Sequence, residues 1–186
     1  MKNITAVILG KESESIKEEL NDFGIEDVVF ISSYFDKVKG KDLLLILPDD
    51  FTLNKSLKNL EVRKGIITLP LTLLQTEKTK GILNSCLWNL GINDTPGELN
   101  FELAQKQIDL TLFGSFIPKD IFNDKENFNK DLEIYQDFYF FNKVTSKELK
   151  VKGIPKILSF IKNDLSFSTF SEEVKVKNYL LAKQLN

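Results

Sequence analysis

The stretch KDLLLILPDDF, residues 41–51, decides the fold. Its leucines and isoleucine run without a break and then meet two adjacent carboxylates, Asp49 and Asp50. An unbroken apolar run, rather than an alternating one, is what a strand buried on both faces requires, as in a parallel sheet covered by helices. Three other segments have the same character: ITAVIL (4–9), closed by Gly10; DVVFIS (27–32); and GIITL (65–69), ended by Pro70. Between the first two, residues 15–23 predict a helix. Ser15 and Glu18 form a capping box, Ile16, Leu20 and Phe23 share a face, and Gly24 is the stop.

Strands alternating with helices give an α/β class: a small, mainly parallel three-layer sheet, receiver-like or Rossmann-like, over residues 1–115. Within it, 51–60 reads as a short helix that Asp49 or Asp50 would cap. Ile82, Leu83, Cys86, Leu87 and Leu90 repeat at helical spacing, with Cys86 as core. Thr95-Pro96-Gly97-Glu98 predicts the start of a ten-residue helix, and IDLTLF (108–113) a strand. Beyond Gly114 the composition turns aromatic and acidic. Residues 116–186 are expected as an α+β extension packed on the first part, with a strand at EIYQDFYFFN (133–142), a helix near 155–164 and a last helix starting near Thr169.

Composition excludes several kinds of chemistry. The chain has no histidine and one cysteine, so Ser-His and Cys-His nucleophiles, His-ligated zinc and internal disulfides are all ruled out. Arg63 is the only arginine, so no cluster of guanidinium forks can bind phosphate. A net charge of −2 gives no electrostatic footprint for nucleic acid or an anionic membrane. The apolar run at the N-terminus is too short for a leader or a span of roughly 20 residues. The expectation is a soluble, cytoplasmic protein with no cofactor, no metal, no nucleic acid and no membrane association.

The order of elements is similar to that of a response-regulator receiver domain. That resemblance implies an acceptor aspartate at the third strand and a Thr or Ser after the fourth, near Thr68. Here Leu44 holds the aspartate's place and the acids follow Pro48. Gly10-Lys11-Glu12-Ser13 offers one acid where a receiver has a magnesium-holding pair. The resemblance therefore implies the scaffold with an unphosphorylated site.

Three functional readings follow. The first is a non-catalytic regulatory or assembly protein, contacting a protein partner or itself through aromatics such as Tyr135, Phe138 and Tyr139. The second is a sensor for a nucleotide or other small anion at the carboxyl end of the first strand, using Gly10, Lys11, Ser13 and Ser15 with Asp49 and Asp50 nearby. The third is a magnesium-dependent hydrolase using the same carboxylates. The missing catalytic side chains favour the first reading and lean against an enzyme.

Overall fold

The computed structural model describes residues 3–55, 58, 60, 62, 65–75, 80–83, 97–107, 110–161 and 171–184. In chain order the strands are β1 (Ile4–Leu9), β2 (Asp27–Ile31), β3 (Leu43–Pro48), β4 (Phe51–Leu53), β5 (Ile67–Gln75), β6 (Lys80–Leu83), β7 (Phe116–Pro118) and β8 (Val151–Ile161). The helices are α1 (Glu14–Asp22), α2 (Phe101–Ala104), α3 (Lys119–Asn123), α4 (Gln136–Ser146) and α5 (Glu172–Ala182). They build one mixed sheet in the order β2-β1-β3-β7-β5-β8-β4, with β6 on β5. The long ladders, β1 with β2, β1 with β3, and β5 with β8, are parallel. The short ladders of β7 on β3 and β5, of β4 on β8 and of β6 on β5 are antiparallel.

The expected α/β class is present, and the unbroken apolar runs explain its layers. Along β1 and β3, successive side chains go to opposite faces. Val7, Leu44 and Ile46 join a core with Phe122 of α3 and Phe140, Phe141 and Val144 of α4. Ala6, Ile8, Leu45 and Leu47 join a second core with Leu20 of α1. The end of α1 follows the glycine logic read from the sequence. Gly24, at φ 74°, donates to Asn21 and Ile25 donates to Leu20, and both Leu20 and Ile25 are fully buried. That is a Schellman stop with its apolar contact.

The sheet departs from a receiver's all-parallel 2-1-3-4-5 order beside β3. There, antiparallel β7 comes in from beyond residue 115, so the change in composition at 115 is not a break in the sheet. Thr68 consequently lies on β5 opposite Phe116, buried and separated from β3 by β7. Pro70 does not end its strand. Pro70 pairs with Ile154 and Leu71 with Ile157, so the β8 partner slips past Pro155 and Lys156 and the ladder resumes. Such a bulge is how a sheet accommodates residues that cannot donate.

Several local expectations are corrected. EIYQDFYFFN leads into helix α4, and the expected helix at 155–164 falls largely on strand β8. Residues 51–53 are a strand, so Asp49 and Asp50 do not cap a helix. Residues 110–113 form no strand, α2 is only four residues long and capped by Asn100, and Lys80–Leu83 is a strand. The final helix begins after Ser171, whose hydroxyl accepts from Val174. Cys86, Leu87, Trp88, Leu90 and Thr95 lie outside the described residues.

Phe116, fully buried, is the central side chain of the joint between β3 and β5. Phe116→Ala is expected to lower the unfolding free energy by about 3–5 kcal/mol, read from the urea midpoint. A loss below about 1 kcal/mol would show that the joint does not depend on the Phe116 side chain.

Candidate site at the carboxyl ends of the strands

In an open α/β sheet, ligands sit outside the carboxyl ends of the strands where the strand order reverses, here between β1 and β3. β1 ends at Gly10, whose N–H donates to Ile31 at 3.0 Å, and β3 ends at Asp49 and Asp50. The structure brings Gly10, Lys11 and Asp49 together. Gly10 has φ 149°, and a Cβ there would overlap the Asp49 carboxylate. The Lys11 backbone N–H donates to Asp49 Oδ2 at 3.2 Å. Asp49 is exposed and Asp50 half-buried. The amide that an anion would use at this turn is therefore already taken by the protein's own carboxylate.

Ser13 and Ser15 serve each other. Ser13 is the N-cap of α1 without a side-chain capping bond, and its hydroxyl lies 2.8 Å from that of Ser15. The capping box expected at Ser15 is replaced by this pair, with the helix starting two residues earlier, after Ser13. Next to it Lys17 binds Glu12 at 2.7 Å and Glu14 at 2.8 Å, and those bonds push its pKa up to about 12. Two acids beside the helix start leave little net positive field there.

A second carboxylate, which the sequence reading passed over, sits at the same edge. Asp137, in the first turn of α4, accepts from the Thr111 hydroxyl at 3.0 Å, the Leu112 N–H at 2.9 Å and the Tyr34 hydroxyl at 3.2 Å. Tyr34 follows the carboxyl end of β2. Thr111 and Leu112 precede Gly114, whose N–H bonds Ile46 near the carboxyl end of β3. Burial raises the Asp137 pKa against the lowering effect of its three donors. Burial, then the Asp137 charge and the bond to it, raises that of Tyr34 well above the ordinary phenol value. Asp137 is thus a desolvated carboxylate with three donors near the carboxyl ends of β2 and β3. The available signal was a lone acid inside an aromatic run.

The loop carrying Tyr34 is fixed by its own bonds. Asp36 accepts from the Ser32 N–H and hydroxyl and the Ser33 N–H, which lower its pKa. Lys125 donates to the carbonyls of Tyr34 and Asp36 and lies over the Phe122 and Phe128 rings. Tyr34 itself stacks on Phe128 at 5.3 Å.

The proposed aromatic surface is corrected. Phe138 and Tyr139 are 1% and 6% exposed, because α4 is covered on several sides and Tyr179 of α5 packs on Phe138. Tyr135 is half-buried against the same ring. Among the described residues no helix is long and apolar enough to cross a membrane.

Two outcomes are expected. Gly10→Ala destabilises through overlap with Asp49, and an added Asp49→Gly recovers part of the loss; unchanged melting temperatures would refute the contact. Asp137→Ala, which leaves three donors unpaired, costs about 2–3 kcal/mol in urea. The pH sign follows from a raised folded pKa. The stability that Asp137 contributes is full below its unfolded value and lost as pH rises through the folded value. Asp137→Asn should flatten that acidic-range slope.

No protein family matches the chain, and no curated protein does. Among solved structures, the chain is similar in part to S. aureus TarS residues 1–349, crystallised with UDP-GlcNAc. There the TM-score is 0.49 at 11% identity, over 92% of this chain and 51% of that one, so the chain spans about half of TarS 1–349. The inositol-1-phosphate CTP transferase from T. maritima gives a TM-score of 0.44 at 18% identity, over 97% of this chain and 75% of that one.

Proposed function

We propose that this protein binds a small, hydroxyl-bearing molecule outside the carboxyl ends of β1 and β3, with Asp49 as the acceptor and Asp137 fixing the adjoining Tyr34 and Thr111 segments. The observation that carries the reading is the closed Gly10–Asp49 turn. It fills the amide an anion would need and leaves a backbone-held carboxylate, exposed at the crevice, to accept from a ligand. The anion sensor is thereby narrowed to the neutral, hydroxylated part of such a ligand, as in the ribose of a nucleoside. Among the described residues no group of three His, Cys, Asp or Glu side chains could hold a metal, so the hydrolase reading draws no support from them.

The assembly reading is favoured by a different observation. On α5, Val176 and Leu180 are each 58% exposed and one turn apart, an apolar pair facing outward. This pair, in place of the aromatics at 135–141, is what a protein contact would use.

Adenosine, ribose and inorganic phosphate, each at millimolar concentration, serve as probes in thermal unfolding. A ligand at ten times its Kd stabilises by about 1.4 kcal/mol. Adenosine or ribose is expected to raise the melting temperature and phosphate not to, and Asp49→Asn is expected to abolish the rise. Stabilisation by phosphate alone, or none by either hydroxylated probe, would overturn the reading. For assembly, Val176→Glu with Leu180→Glu should convert any oligomer seen by sedimentation to monomer.

A further inference from the structure

The segment that delivers Asp137 is held from outside its own helix. α4 starts at Tyr135, a non-glycine residue at φ 65° with no side-chain capping bond. A left-handed conformation costs such a residue about 1–2 kcal/mol. The two preceding amides, of Glu133 and Ile134, both point at one acceptor, Oδ1 of Asn178, at 2.8 and 3.4 Å. Asn178 lies on α5, is 3% exposed, and anchors its Nδ2 on the Val174 carbonyl at 3.0 Å. Tyr179, its neighbour, packs on Tyr135 at 5.9 Å and on Phe138 at 5.7 Å. Gln136 ties the other side of the turn, donating to the carbonyls of Asn129 and Leu132.

We propose that α5 is a clasp: Asn178 fixes the Glu133–Tyr135 turn in its left-handed form and thereby holds the Asp137 carboxylate against Tyr34, Thr111 and Leu112. Asn178 is a positioning residue, acting two residues away through the backbone. A burial this complete for an amide side chain is explained by its serving two donors of another segment. When the clasp opens, Tyr135 is free to leave the left-handed region and the first turn of α4 unwinds. The carboxylate that ties the Tyr34 and Thr111 segments at the strand ends is then released, and the Tyr179 contacts on Tyr135 and Phe138 open with it. The geometry couples the last helix to the ligand crevice, so occupancy of α5 by a partner becomes a means of control. This inference rests on Asp137 belonging to the proposed site, but its test uses the free protein, so a failed ligand assay and a failed clasp are separate results.

The test is NMR on the full chain, reading hydrogen exchange at the Leu112 amide and the titration of the Asp137 carboxyl. The titratable group bonded to Asp137 among the described residues is Tyr34. Asn178→Ala is expected to raise Leu112 exchange about tenfold or more and to bring the Asp137 midpoint down towards the ordinary carboxylate range. Asn178→Asp keeps an acceptor for the two amides but loses the Nδ2 donor to the Val174 carbonyl, so it is expected to raise Leu112 exchange by less than Asn178→Ala does. Tyr135→Gly accepts the left-handed conformation at no steric cost, and in that background the effect of Asn178→Ala should shrink. If Asn178→Ala speeds exchange at Glu133 and Ile134 but leaves Leu112 and Asp137 unchanged, the bond is a local tie and the clasp is refuted. If Asn178→Ala does not fold, Asn178→Asp decides. Leu112 exchange raised about tenfold or more in that variant would refute the role assigned to the acceptor oxygen.

Discussion

Three residues, Phe116–Pro118, join the two halves of the sheet, and most of the remaining structure depends on that joint. On one side β7 pairs with Leu43–Leu45, and on the other Phe116 pairs with Thr68. Without β7, the β2-β1-β3 unit and the β5-β8-β4 unit share no ladder among the described residues. The constraint extends upstream. Because Gly114 and Ser115 continue the pairing along Ile46, Thr111 and Leu112 are delivered to the strand ends, where Asp137 awaits their donors. One short strand therefore sets both the continuity of the core and which polar groups meet at the strand ends. Its side chains divide accordingly, Phe116 into the α1 side and Ile117 into the α4 side.

How far the sequence discloses this depends on whether a segment's neighbours are local. β1, β2, β3 and α1 were legible because each is an apolar run or stripe closed by its own glycine or polar turn. EIYQDFYFFN was not, since a helix covered on several sides has no polar face to give a 3.6-residue period. Phe138, Tyr139, Phe140 and Phe141 are all buried in succession, and four consecutive aromatics look like a strand. β8 misled in the opposite way. A helix was expected near 155–164, but the segment pairs with β5 as a strand and the ladder bulges past Pro155. Prolines at 70 and 155 mark the same irregularity from both strands, which neither position reveals alone.

The same rule governs the site. Gly10, Lys11 and Asp49 were found because each ends a readable strand, and the parallel pairing of β1 with β3 brings those ends together. Tyr34 and Thr111 reach Asp137 across 103 and 26 residues. No periodicity encodes such a meeting. Asp49 also changed meaning in three dimensions, since it closes the very amide that made the turn attractive for an anion. The identity of a residue at a strand end was legible; which polar group its backbone satisfies was not.

Two local costs accompany this arrangement: a left-handed tyrosine at the head of α4 and a carboxylate taken out of water one turn later. Neither favours folding by itself, and strain of this kind persists only where the surroundings over-determine it. Here they do so from two independent directions. The buried aromatics of α4 fix the helix axis against β1 and β3, and Asn178 fixes the turn that begins it. A helix held only by its core could rotate or fray at its first turn and present Asp137 to water, where its pKa would be ordinary and its three donors scattered. With the turn also held, the carboxylate has one position and one set of partners. A chain without histidine and with a single arginine has few other ways to build a polar group of fixed orientation at its crevice. Precision of placement at this carboxylate thus requires the last helix of the chain as much as the first strands.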